Sequence, residues 1–292
     1  MCALPSAISA MKMGQFRIRT ITTKYWRPGE NYLEQIIRGI DGMLADGDFL
    51  VISEKALSTA SGNIVEESEV TPSLTAKLIA RFWMPICWGY LLGQVCHLRQ
   101  RLVGQLQQYP FDEGSRHKQV VLKHAGFLNA LMFGSEGGID GSNLPYAYVS
   151  LAMKNADEVA RHIRARVWRT LRKNIRVLIV DTDKTFSFRN FHFTPRPQPV
   201  KGIYSFGGLI CYVVGRVLKL TKRATPLAVA GCKLPAERAL EIAEAANRAR
   251  GFGAGRTVWD MAGKFNVDLT HVSWEMLETV RHKPIFILRS KR

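Results

Sequence analysis

The chain of 292 residues carries 41 lysines and arginines against 24 aspartates and glutamates, a formal charge of +17, with 47% apolar residues. That composition excludes a disordered chain, because it supplies enough apolar side chains for a sizeable core, and the positive balance favours anionic partners such as nucleic acid, phosphorylated metabolites or acidic lipid. Five scattered cysteines, Cys2, Cys87, Cys96, Cys211 and Cys232, show no CxxC pair and no zinc-ligand spacing, which fits reduced, buried thiols and argues against zinc.

Met1 to Met13 has neither a basic leader nor a full hydrophobic region, so it does not read as a secretory signal. Phe16 to Thr22 alternates as a strand, the turn signal Arg27-Pro28-Gly29-Glu30 follows, and Leu33, Ile36, Ile37, Ile40 and Leu44 recur at helical spacing. Asp46-Gly47-Asp48 then turns the chain into a buried strand, Phe49 to Ile52, ending at Ser53-Glu54-Lys55. Strand, helix, strand is an α/β signature.

Residues 71–123, rich in Trp, Leu, Gln and Arg, read as a mostly helical insertion or dimer-contact element with a break at Tyr109-Pro110. Within it the apolar run Phe82 to Cys96 is too short to span a bilayer and contains Pro85, Gly89 and Gly93, so the expected location is the cytoplasm. A loop from Phe133 to Pro145, a short strand from Tyr146 to Leu151, a helix from Ala156 to Leu171 and a strand from Arg176 to Val180 lead to the acidic turn Asp181-Thr182-Asp183. Alternate prolines from Thr194 to Pro199 predict a rigid extended loop near the site. Phe206 to Leu220 is apolar and broken by glycine, Leu227 to Ala230 reads as a strand, and Pro235 to Arg250 as a helix closed by Gly251. Pro284 to Leu288 is a final strand before a basic tail. The whole, 1–292, reads as one mixed α/β (α+β) domain.

Two acidic turns carry the chemistry. Gly137-Gly138-Ile139-Asp140-Gly141-Ser142-Asn143 offers a carboxylate and side-chain donors beside exposed amides, and Asp181-Thr182-Asp183 follows a buried strand, where open α/β sheets place ligands. Carboxylate and hydroxyl donors without His or Cys suit Mg2+ or Mn2+ shared with substrate phosphates, with Glu136 and Asp183 as further ligands. Two Asx-type turns that satisfy local amides are the alternative. The loop Gly251 to Thr257, with Gly251, Gly253 and Gly255 in alternation, is either an anion cradle completed by Arg256 or a simple helix-capping turn, and it lacks the P-loop pattern. Arg161, Arg164, Arg166, Arg169, Arg172, Lys173 and Arg176 lie opposite the apolar face Ala160, Ile163, Val167 and Leu171, giving a solvated helix face or an RNA-binding one without any RNP, KH or helix-turn-helix pattern.

Taken in order, Tyr25 to Glu30, Asp46 to Gly62, Gly138 to Asn143, Ile179 to Asp183, Thr225 to Gly231 and the Gly251 loop resemble the gamma-glutamyl ligase of coenzyme F-420. The resemblance implies a mixed-sheet fold, an intertwined homodimer, and a GTP- and divalent-metal-dependent ligase, with K+ as a further candidate cation. It implies metal ligands at Asp140, Asp181 and Thr182, and nucleotide contacts at Pro28, Gly29, Glu30, Asn31, Glu54, Lys55, Asn143 and Gly251 to Thr257. Lys55 and Arg256 become the catalytic candidates. The implied reaction moves the GTP γ-phosphate to a carboxylate of the coenzyme precursor, and the L-glutamate amine attacks the resulting acyl phosphate. The chain departs from the family where Asp183-Lys184-Thr185-Phe186-Ser187-Phe188-Arg189 replaces Phe-Gly-Arg-Pro-Trp-Arg, in the turn Ser58-Thr59-Ala60-Ser61-Gly62, which lacks the family's lysine, and at Phe252, where a metal-binding glutamine is expected. An amide ligase for another phosphorylated acid or amino acid, or a non-catalytic RNA- or anion-binding protein on the same scaffold, are the competing expectations.

Overall fold

A computed structural model describes residues 8–13, 15–134 and 136–290. Cys2, most of the amino-terminal stretch read for a leader, and the last two residues of the basic tail lie outside the described residues.

The elements run β1 (Ile8–Met13), β2 (Phe16–Thr23), α1 (Tyr32–Ile40), β3 (Phe49–Ser53), α2 (Glu54–Ala60) and β4 (Ile64–Glu66). A helical segment follows: α3 (Leu74–Leu78), a π-helical stretch Ile79–Leu92, α4 (Gly93–Val95), α5 (Gln100–Gln107), α6 (Phe111–Ala125) and α7 (Phe127–Ala130). The second half comprises β5 (Tyr148–Ser150), α8 (Ala156–Leu171), β6 (Arg176–Phe188), β7 (Phe191–Thr194), β8 (Tyr204–Ser205), α9 (Gly208–Val217), β9 (Thr221–Ala230), α10 (Ala236–Arg250), α11 (Val258–Phe265), α12 (Trp274–Glu278) and β10 (His282–Ser290).

Strands β1, β2, β10, β3, β6, β7 and β8 form one mixed sheet in that order, with β9 on β6 as its eighth member; β4 and β5 form a separate pair. All five residues of β3 are buried, as its unbroken apolar sequence requires of a strand covered on both faces, and it pairs in parallel with Arg176 to Val180. Each fully buried Leu50 or Ile52 side chain contributes roughly 1.5–3 kcal/mol. One face packs on α1, α2 and α8 through Ile36, Ile40, Leu57, Ile163 and Val167; the other packs on α10 through Ile242, Ala243 and Ala246.

Two expectations are corrected, and one segment without an assignment is resolved. The strand expected to stop at Val180 continues to Phe188, so Asp181-Thr182-Asp183 is a bulge inside β6 and not a turn. Asp181 pairs with Thr225 and Lys184 with Ala224, leaving Thr182 and Asp183 unmatched. The cause lies across the sheet: Pro226 opposite Val180 cannot donate to the ladder, and the Thr225 hydroxyl donates to the Asp183 carbonyl at 2.7 Å. The Gly-interrupted segment 206–220 holds helix α9, whose Gly215 admits the Phe186 ring: a Cβ there would lie 2.2 Å from it. The strand expected over Tyr146 to Leu151 shrinks to three residues in the small sheet.

The helical segment builds its own core from Ile79, Met84, Trp88, Leu106, Val120 and Val121, which reaches Ile139 and Val149 beside the first acidic loop. The break falls between Gln107 and Phe111, at Tyr109-Pro110 as the sequence implied. Leu74, Leu78, Phe82, Ile86 and Tyr90 remain exposed in a stripe of four-residue steps. Cys96 and Cys211 are buried, Cys87 and Cys232 half-buried, and all four are free thiols. Among the described residues, no helix is long and apolar enough to cross a membrane.

Candidate active site

Glu54 and Lys55 open α2 directly after the buried strand β3, so one backbone step separates a carboxylate facing the core from an ammonium facing the acidic loop. Lys55 Nζ pairs with Asp140 Oδ2 and donates to Ser142 at 2.8 Å (carbonyl) and 2.9 Å (hydroxyl). Asp140 Oδ1 accepts from the Ser142 amide at 2.7 Å, and main-chain bridges to Ser150 hold the loop on β5. Burial opposes ionisation, but Lys55 and the bonds from Ser142 hold the Asp140 carboxyl below its ordinary range.

Arg196, in the proline-fixed loop after β7, is 1% exposed and reaches under the bulge. Its Nε donates to Asp181 Oδ2 at 2.8 Å, a second nitrogen pairs with Glu54, and a third donates to the Gly137 carbonyl at 3.2 Å. Asp183 accepts from the Gly138 amide at 3.0 Å. Burial, followed by the negative charge of Asp181, raises the Asp183 carboxyl well above its usual value, with Asp140 and Glu54 adding to the effect against the pull of Arg196. Burial also raises Glu54, against Arg196. Four carboxylates, Glu54, Asp140, Asp181 and Asp183, are thus drawn together around two cations, Lys55 and Arg196.

The all-oxygen donor set fits a hard divalent cation. Asp140, Thr182 and Asp183 line the adjoining cavity, whereas Asp181 is buried and does not line it. Among the described residues, however, no three His, Cys, Asp or Glu side chains are arranged as a metal site, and Lys55 and Arg196 pair with the carboxylates of Asp140 and Asp181. Glu136, read as a further ligand, is committed elsewhere: it pairs with Lys118 at 2.5 Å and with His117, which also bonds Glu67 at 2.7 Å.

The nucleotide candidates divide. Asn143, at φ +57, is locked to the Gly251 loop: its side chain accepts from the Ala254 amide at 2.6 Å and donates to the Gly255 carbonyl at 2.9 Å, while Tyr25 OH donates to its carbonyl. Gly253, at φ +60, admits this contact, since a Cβ would stand 2.4 Å from Asn143 Oδ1. Thr257 caps α11 through the Asp260 amide at 3.1 Å. Arg256 is exposed and stacks 3.7 Å above the Phe252 ring. Gly251 closes α10 at φ +73. The turn Pro28, Gly29, Glu30 and Asn31 lines neither cavity at the site: Gly29 bonds Ala60, Glu30 pairs with Lys24 at 2.5 Å, and Asn31 caps α1.

A cavity of about 590 Å³ adjoins the carboxylates, walled by the aromatic rings of Tyr109, Phe133, Phe186, Tyr212 and Trp259 and by Lys184, Arg216, Lys222, Arg250 and Arg256. A smaller cleft opens between Tyr25, Lys55, Gly253, His282 and Lys283. The arginines of α8 that line neither space include Arg161, Arg166 and Arg169, all exposed. Sequence reading missed Arg196, His117, Lys118 and Arg250; only Arg196, flanked by Pro195 and Pro197, carried a local signal, a charge fixed in a rigid loop.

The mixed sheet's bulged strand presents carboxylates beside a basic, aromatic cavity, an arrangement suited to anionic small molecules. The sequence matches the model of the F420-0:Gamma-glutamyl ligase family over residues 20–232, and the chain belongs to that ligase family. It is 30% identical to the uncharacterized protein MJ1361 of Methanocaldococcus jannaschii over 94% of this chain and 97% of the relative.

Proposed function

We propose that this protein is a GTP- and divalent-metal-dependent ligase joining L-glutamate to the coenzyme F-420 precursor through a gamma-glutamyl-type amide. Family membership supports the ligase class, and the observation that carries the chemistry is the cluster of four carboxylates against two cations at the wall of a basic cavity. Asp140, Asp181 and Thr182 would hold Mg2+ or Mn2+, with Asp183 beside them; the ion supplies charge neutralisation for a transferring phosphoryl group.

The chain's own residues do the remainder. Lys55, released from Asp140 when the cation binds, is free to donate to phosphate oxygens. The aromatic wall excludes water from an acyl phosphate and gives a flat acceptor a stacking surface. Arg196 keeps Asp181 and Glu54 in place. The exposed apolar stripe Leu74 to Tyr90 supports a homodimer by offering contact surface on the helical segment.

Incubating the protein with the precursor, GTP, Mn2+ and L-glutamate, with mass detection of a glutamylated product, tests the reading. Product from wild type and none from Asp140→Asn is expected. GTP turnover with a different acid and no product from the precursor would instead favour a related ligase of other acceptor, a reading supported by Lys184, which faces the cavity where the family carries Phe-Gly-Arg-Pro-Trp-Arg. RNA binding that survives Asp140→Asn, with no ligation by wild type, would favour the non-catalytic scaffold.

A further inference from the structure

Arg250 is the last residue of α10, one position before the Gly251 turn. Its Nε is buried without a hydrogen-bond partner, and among the described residues its guanidinium enters no ion pair. Arg196 differs: its guanidinium is fully buried and is met by Glu54, Asp181 and a carbonyl, whereas Arg250 is half-buried, with Nε enclosed and the head at the cavity wall. Asp140 and Asp181 lie within the electrostatic reach of Arg250, yet their oxygens are held by Lys55 and Arg196. An enclosed N–H left without an acceptor is costly, and a guanidinium that carries one at a cavity wall points to a ligand that supplies the missing oxygens.

Position identifies the ligand class. Arg250, Asn143 and Phe252 are the residues shared by the walls of the small cleft and the large cavity. Asn143 spends its side-chain amide on Ala254 and Gly255, and Phe252 offers no donor, so Arg250 is the junction residue with donors to spare. Arg256, the arginine that the sequence favoured, is exposed and stacked on Phe252.

We infer that Arg250 is a catalytic residue that grips the γ-phosphoryl group, at the junction of the small cleft and the large cavity, as it passes from a nucleoside triphosphate to a carboxylate. The inference rests on the ligase reading. In that step a bond forms between phosphorus and the acceptor carboxylate oxygen, and the bridging bond to the β-phosphate breaks, its electron pair leaving on the nucleoside diphosphate. Arg250 donates hydrogen bonds to the non-bridging oxygens and transfers no proton. Arginines that meet a transferring phosphoryl group raise kcat by roughly 10³–10⁵.

The test compares Arg250→Ala, Arg250→Lys and Arg256→Ala with wild type in two ways. Calorimetric binding of inorganic pyrophosphate is independent of any reaction: Arg250→Ala is expected to lose affinity by about tenfold or more and Arg256→Ala by less than about threefold. In the ligation assay, kcat of Arg250→Ala should fall by about 100-fold or more with a smaller change in nucleotide KM, and added guanidinium ion should restore part of it. Arg250→Lys, which keeps the charge and loses the fork, should fall between and guards against a fold defect in the alanine variant. Pyrophosphate binding that is absent in wild type, or equal in wild type and both Arg250 variants, overturns the inference. So does a kcat loss that guanidinium leaves unchanged. If wild type makes no amide at all, the ligase reading fails while the pyrophosphate measurement still decides whether Arg250 is an anion site.

Discussion

Arg196 Nε lies 2.8 Å from Asp181 Oδ2, and the same guanidinium pairs with Glu54, so one buried side chain joins the proline loop, the bulge of β6 and the start of α2. Removing one partner of a buried pair leaves uncompensated charge and costs about 3–5 kcal/mol. Arg196→Met should lower unfolding free energy by that order in urea titrations, and Arg196→Lys should recover less than half, since an ammonium cannot span both carboxylates as a planar fork does. A loss below about 1 kcal/mol, the range of exposed ion pairs, would show that the arginine does not tie these elements together.

Gly138 gives an independent view of the same contact. At φ +91 it lies against the Arg196 guanidinium, and a Cβ would sit 2.5 Å from Arg196 Cζ. Gly29 shares the left-handed backbone, at φ +83, but has nothing within 4 Å. Gly29→Ala is therefore expected to cost about 1 kcal/mol from strain alone, and Gly138→Ala about 2–4 kcal/mol from strain plus displacement of Arg196. Equal losses in the two variants would refute the close approach.

The His117 bridge between Glu67 and Glu136 makes stability depend on alkaline pH. Burial disfavours the charged ring, but Glu67 and Glu136 outweigh it and push the imidazole up to about 10. Because the folded value exceeds the ordinary value of about 6.5, the stabilisation is complete below about pH 6.5, declines as pH rises, and is gone above about pH 10. The free-energy gap between wild type and His117→Gln, roughly a few kcal/mol at pH 6.5, should shrink steadily toward pH 9.5. A gap that does not change with pH would mean the ring is neutral in the folded protein.

Competition between Lys55 and a cation for Asp140 has a thermodynamic signature. Mn2+ should raise the melting temperature of wild type by mass action, and Asp140→Asn should abolish that rise. Lys55→Met, which frees the Asp140 oxygen, should bind Mn2+ at least as tightly as wild type while forming product more slowly. Weaker Mn2+ binding by Lys55→Met would place the ion away from Asp140.

The apolar stripe on the helical segment makes the oligomeric state measurable. Light scattering on the eluting protein should report a dimer, and Phe82→Glu with Ile86→Glu should shift it toward monomer. A dimer unaffected by both substitutions would put its interface on another face.

The run of β3 was legible because both of its faces are buried and need apolar residues, the periodicity of α8 because it answers to one face of one core, and Glu54, Lys55, Asp140 and Asn143 because short motifs carry them. The bulge in β6 was not, because Val177 to Val180 followed by Asp-Thr-Asp reads as a strand ending. What carries the strand onward is Pro226 and Thr225, some forty residues away on β9. Arg250 was read as the end of a helix for a similar reason: nothing local says that its head lacks a partner, a fact decided by which distant carboxylates are already taken.

Strand β6 pairs with β3 up to Val180 and with β7 from Phe186 on one edge, and with β9 on the other, so the bulge at Asp181 to Asp183 lies between two well-paired stretches of the strand. Local opening there is energetically tied to opening the whole domain, and amide hydrogens flanking the bulge should exchange with solvent only at the rate of global unfolding. The residues proposed to hold the cation are in that sense anchored by the least plastic part of the molecule. Laboratory evolution toward a new acceptor is then expected to collect its successful changes on α6 and α9, which meet the cavity from outside the sheet, and to leave β6 untouched.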